Sequence, residues 1–174
     1  MQTQTIVLGG GCFWCLEALY RRLDGVVAVE SGYAGGTTAH PTYQQICTGT
    51  TGHAEVVKVE FDPAVITLEQ VLEFFWKAHD PTTLNRQGAD VGTQYRSIIL
   101  VDGDEQRRAA TDSKSQAQEH FPNPVVTQIE PLEVFYPAED YHRDYYEQNS
   151  RQGYCRMVIE PKLAKLGFDS APLG

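Results

Sequence analysis

The run Ile6-Val7-Leu8-Gly9-Gly10-Gly11-Cys12-Phe13-Trp14-Cys15-Leu16 decides the reading of this chain. Three apolar residues read as a short buried strand, and three glycines end it. A helix follows at once: Leu16, Leu19, Tyr20 and Leu23 recur at the spacing of one helical face, and Asp24-Gly25 closes it. Val26 to Tyr33 then alternates as a strand, with Val27, Val29 and Ser31 on one face and Val26, Ala28 and Glu30 on the other. A Gly/Thr/Pro-rich loop runs from Ala34 to about Gly52. Ala54 to Asp62 is a strand, its Val57, Val59 and Phe61 alternating with Lys58 and Glu60.

Working outward, Thr67-Leu68-Glu69-Gln70 has the spacing of a capping box. The helix it opens carries Leu68, Val71, Leu72, Phe75 and Trp76 on one face. A second long loop spans His79 to about Gln94, and Ser97 to Val101 is a strand. Asp104 to about His120 reads as a polar surface helix, Val125 to Ile129 as an edge strand, and Ala138 to Gln148 as a helix. The tail beyond Gly153 has little pattern, and Cys155 within it is expected to be mobile. The order β-α-β-β-α-β predicts an α+β fold: a two-layer sandwich with a ferredoxin-like split β-α-β core, long loops and a C-terminal extension, all in one domain over residues 1–174. A right-handed crossover makes the first two strands parallel, with the third antiparallel between them and the fourth beyond the first. Gly9 to Gly11, Ala54-Glu55, Tyr95-Arg96 and the loop after the second strand then converge at one edge.

Length and charge bound the function. At 174 residues the chain is long enough for a core without staples. Fourteen Lys+Arg against 23 Asp+Glu give a net charge of −9, which excludes nucleic acid and an acidic membrane surface as natural partners. No apolar run approaches a membrane span. Met1-Gln2-Thr3-Gln4-Thr5 carries neither a basic region nor an apolar stretch, so no signal peptide is visible and the cytoplasm is the expected compartment. There, four cysteines point to catalysis, redox chemistry or metal.

Cys12 stands at a helix start, where free N–H groups and the helix dipole favour an anion, so a lowered thiol pKa and a nucleophilic role are expected. The alternative is an inert buried cysteine beside a tight turn. Phe13 and Trp14 can wall an apolar pocket or simply fill the core. Glu55 shares the face of Val57, Val59 and Phe61, so burial should raise its pKa and let it donate a proton near neutrality; a start one residue later would leave it solvated. Tyr43 and Tyr95 are hydroxyl donors on segments expected at the same edge. Asp90, in Gly88-Ala89-Asp90-Val91-Gly92, can orient a tyrosine or a water, or only make a turn hydrogen bond. His142 can join this network, lie on a helix surface or merely pack. Cys12-x-x-Cys15 also fits a thioredoxin-type redox pair, whereas zinc would need two further ligands that Cys47 and His53 do not supply as a tight pair. No metal and no cofactor is called for.

Five collinear stretches resemble the peptide methionine sulfoxide reductases of the A type: Gly10 to Cys15, Ser31 to Gly36, Thr51 to Glu55, Gly92 to Ser97, and Ala138 to His142. The resemblance spans Ile6 to about Leu166. It implies that Cys12 attacks the sulfoxide sulfur and that Glu55 protonates the oxygen, held by Tyr43 and Tyr95. It also implies that Phe13 and Trp14 hold the ε-methyl group and that Asp90 supports the site. Methionine leaves, Cys12 remains as a sulfenic acid, and a second cysteine forms a disulfide that thioredoxin reduces. The substrate is the S epimer, free or in proteins. Many members have glycine where this chain has Cys15, and some carry a further C-terminal cysteine. Cys155 matches the recycling position through Gly153-Tyr154-Cys155, with Cys15 as relay or alternative and Cys47 as a third candidate. Two rivals stand beside this reading. A general thiol–disulfide oxidoreductase would exchange disulfides without sulfoxide turnover, and a peptide-binding module would keep its binding after Cys12→Ser.

Overall fold

The computed structural model describes residues 2–173. In chain order it contains β1 (Gln4–Gly9), α1 (Phe13–Tyr20), β2 (Val26–Ala34), α2 (Tyr43–Cys47), β3 (Ala54–Phe61), α3 (Leu68–Ala78), β4 (Arg86–Gln87), β5 (Asp90–Val91), β6 (Ile98–Val101), α4 (Asp104–Gln118), β7 (Gln128–Pro131), β8 (Phe135–Pro137), α5 (Tyr145–Asn149) and α6 (Glu160–Lys165). The fold is mixed α+β. Six strands form one sheet in the order β7-β6-β1-β3-β2-β8, and β4 and β5 make a separate small hairpin. β3 lies antiparallel between β1 and β2, and β6 pairs antiparallel with β1 on its other side, which is the strand pairing expected from the sequence.

Alternation sorts the side chains. Ile6, Leu8, Val57, Val59, Phe61, Ile99 and Val101 enter the main core with α1 and α3. Val7, Ala34, Ala54, Val56, Ile98 and Leu100 form a smaller cluster on the opposite face, covered by Leu132 and Phe135. The capping box at Thr67 and Gln70 is present with both bonds made, and α4 buries only Ala110 and Ala117, as its polar sequence requires.

Four local expectations are corrected. In β2, Val26 pairs with Phe61 and Ala28 with Glu60, so Val27 is the extra residue of a bulge. The bulge resets the alternation: Val26 and Val29 pack on the core and Val27 points outward. The edge strand begins at Gln128 rather than Val125, because the backbone before it is engaged elsewhere. Val125 N–H donates to Gln118 Oε1, Val126 N–H to Pro81 O, and Thr127 O accepts from Lys114 Nζ. β7 then runs parallel to β6. The helix expected over Ala138 to Gln148 is broken into a 3-10 turn, Asp140–His142, and α5, because Asp144 between them sits at φ 53°, a left-handed conformation no helix continues through. The loop from Ala34 to Gly52 contains α2, whose own capping box joins Thr42 and Gln45.

Candidate active site

The expected convergence at the C-terminal end of β1 is found. Gly11 N–H donates to Tyr95 O at 3.1 Å, tying the glycine run to the turn before β6. A Cβ on Gly10 would stand 2.6 Å from the His79 ring, and Gly11 adopts φ +86°, so neither position accepts a side chain without displacement. His79 is itself fixed, with its ring nitrogens 2.7 Å from Phe75 O and from Ser97 Oγ.

Cys12 is the N-cap of α1 and is 7% exposed. Glu55, at the second position of β3, is fully buried. Its Oε1 accepts from the Phe13 N–H at 3.1 Å, and its Oε2 is buried with no hydrogen-bond partner among the described residues. Burial pushes the Glu55 carboxyl up to about 8; the Phe13 amide pulls it down, Asp90 pushes it up, and the neighbouring Cys12 thiol pulls it down. The alternation argument for a buried, neutral carboxyl therefore holds.

The expectation of an acidified Cys12 thiol does not hold in this pocket. Burial raises its pKa well above the ordinary value and Glu55 raises it further, while the Trp14 amide at the helix start pulls the other way. Desolvation outweighs that pull, because the thiol belongs to the buried core cluster with a group of aromatic rings.

Those rings come from four segments. Phe13 is fully buried, with Tyr33 at 5.7 Å, Tyr43 at 6.4 Å and His142 at 5.0 Å between ring centroids. Trp14 stacks on Tyr145 at 3.7 Å and 6°, meets Tyr154 edge-on at 5.8 Å, and donates its indole N–H to His142 Nδ1 at 2.9 Å. His142 is buried, and burial lowers its pKa. Accepting at Nδ1, it is the neutral tautomer with its proton on Nε2. Phe13 thus belongs to the core and the site together. His142 packs against the site's rings rather than lying on a helix surface.

Tyr43, at the first turn of α2, and Tyr95 both have pKa values raised first by burial, with Glu55 and Cys12 among the further causes. The two hydroxyls therefore sit within electrostatic reach of the thiol–carboxyl pair. Asp90 Oδ2 accepts from Tyr154 OH at 2.7 Å, so of its expected uses it orients a tyrosine. Glu139, not anticipated from the sequence, links β2 to α2: its two carboxylate oxygens accept from Tyr33 OH and Tyr43 N–H, both at 2.8 Å. Tyr33, Tyr145, Tyr154 and Glu139 were beyond sequence reasoning because no spacing joins positions a hundred residues apart. Their only signal was membership of, or adjacency to, the matched stretches.

The cysteines need one further correction. Cys155 lies in the core rather than in a loose tail. It opens a π-helical stretch, Cys155–Ile159, that runs into α6, and Cys155, Ile159 and Leu163 are each fully buried at one-turn spacing against the core. Its thiol is pushed up first by burial and then by Cys15, which lies within electrostatic reach. Cys15 is buried and also raised, with Lys162 of α6 pulling it back. Cys47, at the end of α2, is exposed and lies beside Tyr43.

The site thus joins a buried thiol at a helix start, a buried carboxyl with a raised pKa and a cluster of aromatic rings on an α+β frame, the residue types of a thiol oxidoreductase pocket. The family profile of peptide methionine sulfoxide reductases matches residues 4–171. The chain is 57% identical over 158 residues to the peptide methionine sulfoxide reductase MsrA of Leptospira borgpetersenii, covering 91% of this chain and 90% of the relative. It superposes with a TM-score of 0.84 on reduced Mxr1 from Saccharomyces cerevisiae, at 38% identity over 88% of this chain and 90% of that one. On the same yeast protein in complex with Trx2 the TM-score is 0.61, at 31% identity over 81% and 84% of the two chains. The chain belongs to the peptide methionine sulfoxide reductase family, A type, and is an oxidoreductase. Among the described residues no helix is long and apolar enough to cross a membrane.

Proposed function

We propose that the protein reduces the S epimer of methionine sulfoxide, free or in proteins, by thiol chemistry at Cys12. The observation that carries this reading is the fully buried Glu55, its carboxyl pushed up to about 8 beside the buried Cys12 thiol. A group that keeps its proton at neutral pH in an apolar pocket can give it to a sulfoxide oxygen. Phe13 and Trp14 receive the ε-methyl group, Tyr43 and Tyr95 hydrogen-bond the oxygen, and Asp90 supports the pocket through Tyr154.

Glu55 protonates the oxygen as Cys12 sulfur attacks the sulfoxide sulfur. The oxygen passes to Cys12, methionine leaves with its sulfur reduced by two electrons, and the thiol proton restores Glu55. Cys12 is then a sulfenic acid. Cys155 resolves it with Cys15 as relay, releasing water and forming a disulfide. Three features support this relay: Cys155 and Cys15 lie within electrostatic reach of one another, Cys15 is one helical turn from Cys12, and Lys162 offsets part of the rise that burial imposes on the Cys15 thiol. Thioredoxin reduces the disulfide in a cytoplasmic setting, a partner suggested by the Trx2 complex of the yeast relative. We read the four central strands with α1 and α3 as a two-layer, ferredoxin-like split β-α-β unit, and the whole chain as one reductase domain.

Incubation with separated R and S epimers of methionine sulfoxide, with dithiothreitol as reductant, tests the reading. Methionine should form from the S epimer alone, and Cys12→Ser should abolish it. No turnover of either epimer by folded, reduced protein would overturn the proposal.

A further inference from the structure

Glu17 lies one turn beyond Phe13 on α1 and is fully buried, yet it has no part in the chemistry above. Its Oε1 accepts from the Tyr145 N–H at 3.2 Å. The Tyr145 ring is the one stacked flat on Trp14, whose indole N–H holds His142. Two arginines of the same stretch flank the contact: Arg21 reaches Asp144 at 3.2 Å and Glu147 at 3.1 Å, and Arg22 reaches Glu147 at 2.8 Å.

The segment so held cannot hold itself. Asp144 is left-handed and α5 is five residues long, too short to persist without tertiary contacts. On the other side of Glu17 is a cavity of about 360 Å³, lined also by Ser31, Glu139 and Arg143. Glu17 Oε2 and Ser31 Oγ are both buried without a hydrogen-bond partner among the described residues. An apolar side chain would occupy this position at lower cost, since burial raises the Glu17 carboxyl to about 7. What the carboxyl adds over such a side chain is its hold on the backbone at Asp144 and Tyr145.

We infer that Glu17 is a positioning residue of the sulfoxide pocket: it fixes the backbone of Tyr145 and, through the stacked rings, the wall formed by Trp14. This rests on the reading that Trp14 borders the substrate. Glu17 touches no reacting atom, so its loss should show in substrate binding rather than in the chemical step.

The test compares wild type with Glu17→Gln, Glu17→Asp and Glu17→Met in steady-state turnover of methionine-S-sulfoxide. Tryptophan emission is read in parallel in a Trp76→Phe background, which leaves Trp14 as the only reporter. Gln keeps an acceptor at the position of Oε1 and should hold KM within about twofold. Asp withdraws the acceptor by one methylene and Met removes it. Each should raise KM about tenfold, the loss of one buried hydrogen bond, with kcat little changed and Trp14 emission shifted to the red. If Met prevents folding, Asp carries the comparison. Wild-type KM and emission in Asp, a loss confined to kcat, or Gln as harmful as Met would each overturn the inference. Wild type without sulfoxide turnover would instead sink the reductase reading, while the emission comparison would still decide whether Glu17 holds the wall.

Discussion

Burial favours the protonated form of both Glu55 and Cys12, and the reaction as proposed needs both protons. Sulfoxide reduction consumes the carboxyl proton at the oxygen and replaces it with the thiol proton. Glu55→Gln should therefore cut turnover at pH 7 by about 10²-fold or more, the usual contribution of a general acid. The wild-type advantage over the variant should fall as pH rises through about 8, where Glu55 loses its proton. A wild-type to variant ratio that stays flat from pH 6 to 9.5 would remove Glu55 from proton transfer. The same residue has a stability signature. The unfolded carboxyl releases its proton near 4.5 and the folded one near 8. Between these values the native protein binds the extra proton, so the stability contributed by neutral burial is full below the lower value and lost as pH climbs to the upper one. Thermal unfolding should show Glu55→Gln gaining on wild type between pH 5 and pH 8, by on the order of a few kcal/mol.

Two helices in this fold begin with the same capping box, at Thr42 and at Thr67, and only one of them carries a site residue. Either Thr→Ala change removes an N-cap, which costs about 1 kcal/mol. α3 has eleven residues and a buried face, so Thr67→Ala should lower the melting temperature and leave turnover intact. α2 has five residues, of which only Ile46 is buried, and its first is Tyr43. Thr42→Ala should therefore lower kcat/KM severalfold while barely changing the melting temperature. Equal loss of activity in both variants would mean that α2 does not position Tyr43. The Thr42 box was visible in the sequence as Thr-x-x-Gln. Five residues show no helical period, so the sequence alone does not separate α2 from its loop. Similarly, the bulge in β2 adds one residue without changing residue type, so alternation could not reveal it.

For the molecule as a whole, Arg96 joins the loops that the sheet brings together. It donates to Gly52 O at 2.9 Å, to Thr93 O at 2.9 Å and to Gln128 Oε1 at 3.1 Å, and so links the approaches to β3, β6 and β7. Arg96→Met keeps most of the stem and removes these bonds. It should cost about 2–3 kcal/mol in chemical denaturation and reduce turnover, because Glu55 and Tyr95 both follow from these loops. A loss of stability without loss of activity would show that the loops keep their places unaided.

The sequence by itself determined the order of the four central strands, the core-facing position of Glu55, the helix start at Cys12 and the edge where they meet. All of these follow from local period, glycine placement and the handedness of a crossover, which act over a few residues or one connection. Only the tertiary structure decided the protonation of Cys12, the order at Cys155 and the aromatic wall drawn from Tyr33, His142, Tyr145 and Tyr154. Each of these depends on how much water the folded chain removes and on which distant residues come into contact. Desolvation outweighs the helix-start amide at Cys12 because it is set by how deeply the folded chain buries the thiol. A patternless tail orders because Cys155, Ile159 and Leu163 find a core to cover.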